Sequence, residues 1–283
     1  MSSEAKRDRL GQGLLALTFV LFLLPYFGFL GQFFKVWMED TEFSHGILIP
    51  PIVAYLLWLR REQIRSSREN GSIAGFAVIA LGCVLSVLAH LTGNLLLCSL
   101  AFAVSALGLV GSLSGGERMR IVAAPMLVLT LMAPIPSCVL GQLSWHLKVS
   151  ATAASSAVLR MAGIPVYQDG NLLRLPNYVL EVREACSGTR SVFALLALAI
   201  VLGITSEQRW WKRLLLIALA PALAVFGNIL RIVGTGLIAS HDGQLAANES
   251  LHSAWGIVVF LVAVSFLLGF QRVMRWEKSE VAP

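Results

Sequence analysis

A thiol, a guanidinium and an imidazole stand apart in this chain. Cys186 lies in Glu184-Ala185-Cys186-Ser187-Gly188-Thr189-Arg190, at the lip of a long apolar run. Arg231 is isolated inside the next apolar run, and His252 opens the one after it. Together they form a working set for thiol chemistry on an acyl group. A thiolate attacks the carbonyl carbon, and an imidazole protonates the leaving amine and later activates the incoming nucleophile. A guanidinium, helped by Asn228 three residues earlier on the same helix face, holds the developing oxyanion. A Cys at a helix N-terminus is biased toward thiolate by the dipole and the unpaired N–H groups there, and by nearby cations. Ser187-Gly188 lets a substrate backbone approach closely, because Gly188 has no side chain.

Membrane-spanning helices must position these groups. Of 283 residues, 57% are hydrophobic and only 13% are charged, and mean hydropathy is +0.75. A soluble domain carries about 25% charged residues. The apolar residues come in runs near spanning length, about 20 residues. The expected fold is an all-α polytopic membrane protein, a single integral membrane domain over 1–283. Eight spans can be drawn, roughly 10–34, 45–59, 72–91, 94–113, 121–140, 186–205, 212–239 and 252–271. The first follows Lys6, Arg7 and Arg9 and resembles a signal peptide at its start. No small-residue cleavage site closes it, so it reads as a retained span.

Charge sets the orientation. The N-terminus, Arg60–Gly71, Ser114–Arg120, Ser206–Arg213 and the C-terminal tail hold fifteen of the 22 Lys and Arg. The opposite segments hold Lys35, Lys148, Arg160, Arg174 and Arg183. By the positive-inside rule both termini are cytoplasmic. Topology therefore accounts for the net charge of +6, and nucleic-acid binding is not needed to explain it. Cys186, Arg231, His252, Glu184 and His45 then all fall toward the outer face.

An outer segment, about 134–185, remains. Gln142–Met161 places Leu143, Leu147, Ala151, Ala154, Val158 and Met161 at helical spacing, which reads as a helix lying on the surface or across the bundle mouth. Two short strands are expected around Asp169-Gly170-Asn171, and a third extended piece, Tyr178–Val182, runs into the Cys186 motif.

The bland readings differ from residue to residue. Arg231 as an internal staple is the alternative to an oxyanion site, although intramembrane charge marks function by default. Cys83 and Cys98 read as small hydrophobes. Cys138 shares a side with Cys186, so a disulfide between them is an alternative to a nucleophile. No HExxH or CxxC occurs, and neither a metal nor another cofactor is expected.

These blocks carry a resemblance. Glu184–Ser191, Asn228-Ile229-Leu230-Arg231 and His252-Ser253-Ala254-Trp255-Gly256, preceded by Ser44-His45-Gly46-Ile47-Leu48-Ile49-Pro50, resemble the signature blocks of the exosortase/archaeosortase family. The resemblance implies catalytic roles for Cys186, Arg231 and His252, with Asn228, Gly188, Ser187, Arg190, Glu184 and His45 in support. It implies a short single-domain member that processes exported proteins bearing a C-terminal signal of the PEP-CTERM type: a Pro-Glu-Pro-like motif, one membrane helix and a basic cluster. An acceptor amine or water would resolve the acyl-enzyme. The positive-inside rule would hold the basic cluster in the cytoplasm and bring the motif out at the face that carries the thiol. Arg174, Arg183 or Arg190 could meet the motif's Glu.

Two other classes compete with a cysteine transpeptidase. A transporter would suit the span count and Arg231, but the two halves show no internal symmetry. An envelope polysaccharide or lipid-linked transferase would need acidic residues for metal or base work, and no paired acidic motif is present.

Overall fold

A computed structural model describes residues 17–67, 71–176, 178–182, 188–206, 209–243 and 249–276. The chain packs as two compact units, Met1–Pro134 and Ile135–Pro283. It is an all-α polytopic membrane fold with one small sheet. Among the described residues, five helices are long and apolar enough to cross a membrane: α1 (Leu17–Glu39), α3 (Ile73–Thr92), α4 (Leu95–Ser114), α8 (Trp210–His241) and the Ser253–Met274 part of α9 (Glu249–Trp276). The broken pair α5 (Gly116–Met132) and α6 (Ser137–Met161) makes up to six. Two of the eight expected spans are shorter, α2 (Ser44–Leu59) and α7 (Thr189–Thr205). The 17 residues of α7 reach about 25 Å, slightly less than the hydrocarbon core. The fifth expected span is interrupted near Pro134 and Pro136, where the missing N–H groups end the α5 ladder.

In the first unit α3 and α4 form a tight antiparallel pair. Gly75 abuts Gly111 and Ser112, Gly82 abuts Ser105, and Gly108 abuts Ile79. Small residues let membrane helices approach closely, since apolar burial gives no drive between helices in lipid. Asn94 caps α4 by accepting from Leu97 N–H at 3.1 Å. Tyr26 of α1 shares a 3.0 Å hydrogen bond with Ser105.

In the second unit α7, α8 and α9 share a core that includes Leu195, Leu216, Ala220, Ala224 and Leu267. Helix α7 runs antiparallel to α8, with Gly188 against Asn228 at one end and Gly203 near Arg213 at the other. Helix α6 runs beside α8 in the same direction. Leu147 meets the core containing Ala220 and Ala224, Ser155 Oγ donates to Ile229 O at 3.4 Å, and Leu159 lies on Gly236.

Gln142–Met161 is thus helical, as expected, and is packed along α8. The buried seam is Ser144, Lys148, Ala151, Thr152, Ser155, Ser156 and Leu159, while Val158 and Met161 are exposed. Small and polar residues make most of the seam, as membrane packing favours, joined by Leu147 and Ala151 of the apolar stripe.

The sheet follows α6. Strands β1 (Tyr167–Asp169), β2 (Leu172–Arg174) and β3 (Val179–Glu181) pair antiparallel in that order. The sequence anticipates all three. Gly170 at φ 60° takes the first central position of the two-residue turn, which favours glycine. Leu173 and Val182 pack with Ile232 and Val233 of α8, so the sheet lies against that helix near its C-terminal end.

Candidate active site

Helix α8 is the reference for this site. Its antiparallel register with α9 follows from four touch points. Lys212 Nζ donates to Met274 O at 2.9 Å. A Cβ added at Gly227 would lie 3.1 Å from Val259 Cγ1, one at Gly256 would lie 3.3 Å from Arg231 Nη1, and one at Gly234 would lie 2.6 Å from Trp255 Nε1. Gly227, Arg231 and Gly234 recur at helical spacing on one face of α8, so the guanidinium emerges between two glycine notches. The expected antiparallel pairing of the last two spans is therefore present. His252 occupies the helical position one turn before Gly256, about 6 Å along the axis and on the same face.

Gly188, from the Cys186 motif, meets α8 at Asn228, beside the α9 contact. Gly188 is the N-cap residue of α7 and has φ 84°. A Cβ there would lie 3.1 Å from Cβ and Cγ of Asn228 and 3.2 Å from its Nδ2. Glycine is required twice at this position, by the left-handed backbone and by the close contact. Upstream, Val182 is buried against the cluster that contains Ile232 and Val233. Cys186, Glu184 and Ser187 lie outside the described residues. Helix α7 starts at Thr189, three residues later than the expected span start. Arg190 is the second residue of α7 and is exposed.

Arg231 is half-buried and Asn228 is buried. Both line a small cleft with Ser191, Gly256 and Val259. Its volume of about 20 Å³ is room for one water. Thr235 Oγ1 donates to Arg231 O at 3.0 Å.

His45 belongs to the first unit. Its Nδ1 lies 3.2 Å from Glu42 O, and its ring faces Phe43 at 6.4 Å. Beside it, Gly46 is pressed against Trp37 and Met132 O, and Trp37 Nε1 donates to that same carbonyl at 2.8 Å. The Ser-His-Gly block thus marks a tight packing point. Cys83, Cys98 and Cys138 are all free thiols; Cys98 is buried and the other two are exposed.

Sequence reasoning did not pick out Gly227, Gly234 or Trp255 as site-forming. The signal was present: two glycines seven residues apart, bracketing an intramembrane Arg on one helix face.

No curated protein and no solved structure matches this chain. A family model described as transmembrane exosortase matches residues 37–269, a span that includes His45, Cys186, Arg231 and His252. Both the match and the multi-helix membrane fold lead to one assignment: the chain belongs to the transmembrane exosortase family.

Proposed function

We propose that this chain is a membrane cysteine transpeptidase that cleaves C-terminal sorting signals of exported proteins through a thioester acyl-enzyme. One observation carries the reading. The segment that holds Cys186 is anchored on α8 at both ends, by Val182 near Ile232 and by Gly188 on Asn228. Those two anchors flank Arg231. Two peptide units hold the Cys186 α-carbon within about 7 Å of that of Gly188. Helix α9 carries His252 along the same stretch of α8, and α7 and α9 border one cleft through Ser191 and Gly256.

The chemistry assigned to these residues is as follows. The Cys186 thiolate forms a C–S bond to the scissile carbonyl carbon. Arg231 and Asn228 hold the oxyanion. As the tetrahedral species collapses the C–N bond breaks, and His252 gives its proton to the leaving amine. An amine or water then attacks the thioester, His252 takes its proton, the C–S bond breaks and Cys186 leaves as thiolate. The acceptor decides between transfer and hydrolysis. Gly188 keeps the approach open. Arg190, Glu184 and Ser187 border the thiol, and His45 serves as a structural or substrate-orienting group.

The alternation of Lys and Arg along the chain supports placement in the cytoplasmic membrane, with both termini inside and the site at the outer face. The substrate is an exported protein ending in a PEP-CTERM-like signal. Its basic tail stays inside and its motif emerges at the face that carries the thiol.

The test is mass spectrometry of a co-expressed sorting-signal protein, with and without this chain. Cys186→Ala and Cys186→Ser should abolish processing at normal protein abundance, while Cys83→Ala and Cys138→Ala leave it intact. Processing that survives in Cys186→Ala above about a tenth of wild type would remove the nucleophile assignment. The mass of the product distinguishes an added acceptor from a free carboxylate.

A further inference from the structure

Among the described residues strand β3 is an edge strand, hydrogen-bonded to β2 on one side. Its ladder fixes which backbone groups are used. Val182 N–H donates to Asn171 O at 3.0 Å, and Leu175 N–H donates to Tyr178 O at 2.9 Å. Between these pairs Leu180 stands opposite Leu173. Residues 178, 180 and 182 therefore turn their N–H and C=O toward β2. Successive residues of a strand alternate in this respect, so Val179 turns its N–H and C=O to the outer edge. The residue is 52% exposed. Leu173, Leu180 and Val182 meanwhile belong to the packing on Ile232 and Val233, which ties the sheet to α8. From Val182 the chain needs only four more residues to reach Cys186.

An exposed strand edge is a template for a second extended chain. We propose that the stretch of substrate next to the scissile bond adds to β3 as a fourth strand, and that this backbone pairing delivers it to Cys186. The inference rests on the peptidase reading above. Continuity argues for this occupant. The strand that offers the edge runs directly into the nucleophile segment, and both ends of that segment are fixed on α8. A peptide aligned on Val179 is thus held on the strand whose continuation carries the thiol.

Strand addition has a period of two. Only every second residue of the bound stretch gives its N–H and C=O to β3, and the residues between face away. A Pro-x-Pro stretch suits this pairing in one register only. With its middle residue opposite Val179, both prolines face outward and neither missing N–H is needed. A shift of one residue would put both prolines against the edge. The motif is then selected partly by which amides it lacks.

The experiment uses the purified full chain in liposomes and a synthetic peptide with a Pro-Glu-Pro motif, an apolar helix and a basic tail. Backbone amides around the motif are N-methylated one at a time. The expected result is a period-two pattern, in which methylation at alternate positions raises KM by roughly tenfold and methylation between them has little effect. In the protein, Val179→Pro removes the outward N–H without touching the β2 ladder. It should raise KM by roughly tenfold with an unchanged unfolding midpoint. Uniform tolerance of N-methylation, or a Val179→Pro KM within about twofold of wild type, overturns the strand addition. The substrate scan leaves the protein unaltered, so a folding defect in Val179→Pro cannot mask the answer. Cleavage that needs Cys186 but ignores amide methylation overturns this inference alone. Cleavage that survives Cys186→Ala, or no cleavage by wild type, overturns the peptidase reading beneath it.

Discussion

The Arg231 guanidinium lies against Gly256, one turn along α9 from His252: a Cβ at 256 would fall 3.3 Å from Nη1, 3.5 Å from Cδ and 3.6 Å from Cζ. The gap between the two helices is thus filled by an arginine on one side and left empty by a glycine on the other. This pairing sets how far the guanidinium reaches.

Enlarging residue 256 should displace Arg231 before it disrupts the fold. Gly256→Ala adds a contact slightly tighter than van der Waals and is expected to lower activity several-fold. Gly256→Val must push the guanidinium aside, at an overpacking cost of about 1–3 kcal/mol. Its activity should fall by about two orders of magnitude, a larger loss than any fall in abundance. Immunoblotting together with a processing assay compares the two. Equal loss of protein and activity would make Gly256 a folding residue only.

Arg231→Lys keeps the charge and loses the planar fork. If the guanidinium holds an oxyanion, kcat should drop by about 10²-fold with KM little changed. A staple role predicts the reverse ranking, with Arg231→Lys active and Arg231→Ala poorly accumulated.

Gly188→Ala should impair activity through backbone strain and through Asn228 together. The left-handed conformation costs an alanine roughly 1–2 kcal/mol, and its Cβ would meet Asn228 at 3.1 Å. Asn228→Gly in the same chain relieves only the second effect and also removes an oxyanion donor, so protein abundance should recover in part while activity stays low. Full recovery of abundance would show that the backbone of residue 188 is not strained.

His252→Ala should remove the limb of the pH–rate profile near the reference imidazole value of about 6.5 and leave an enzyme that loses acyl transfer but still binds substrate. His45→Ala should retain that limb and lose only part of the rate, because its ring is engaged with Glu42 O. Profiles in detergent against one peptide decide it. A limb lost in His45→Ala and kept in His252→Ala reverses the assignment.

What the sequence reveals depends on which physical signal each element carries. Helices α3 and α4 are legible because uninterrupted apolar runs end at Gly93-Asn94 and Gly115. The hairpin is legible because Asp169-Gly170-Asn171 is turn chemistry. The burial of α6 is only partly legible by amphipathic reasoning. Apolar periodicity picks out Leu147 and Ala151, which pack inward, but also Val158 and Met161, which are exposed, and it misses Lys148, Ser155 and Ser156 on the buried side. In lipid an apolar side chain is not compelled to turn inward. The start of α7 is displaced for another reason. Gly188 adopts a conformation that ends one segment and begins the next, and glycine alone does not announce its φ. The closeness of Arg231 to Gly256 depends on two helices meeting in one register, which a single-chain pattern does not encode.

Residues 182, 188, 228, 231 and 256 are all measured against the last four turns of α8. The stretch of α8 beyond Pro221 is an uninterrupted helix, so these positions share one datum instead of depending on separate parts of the fold. Tilting or sliding α8 would carry the sheet, the α7 start and the α9 contact along with it, and would leave their mutual distances largely unchanged. Such a site can ride on bilayers of different thickness, or yield to an incoming substrate helix, and still arrive assembled.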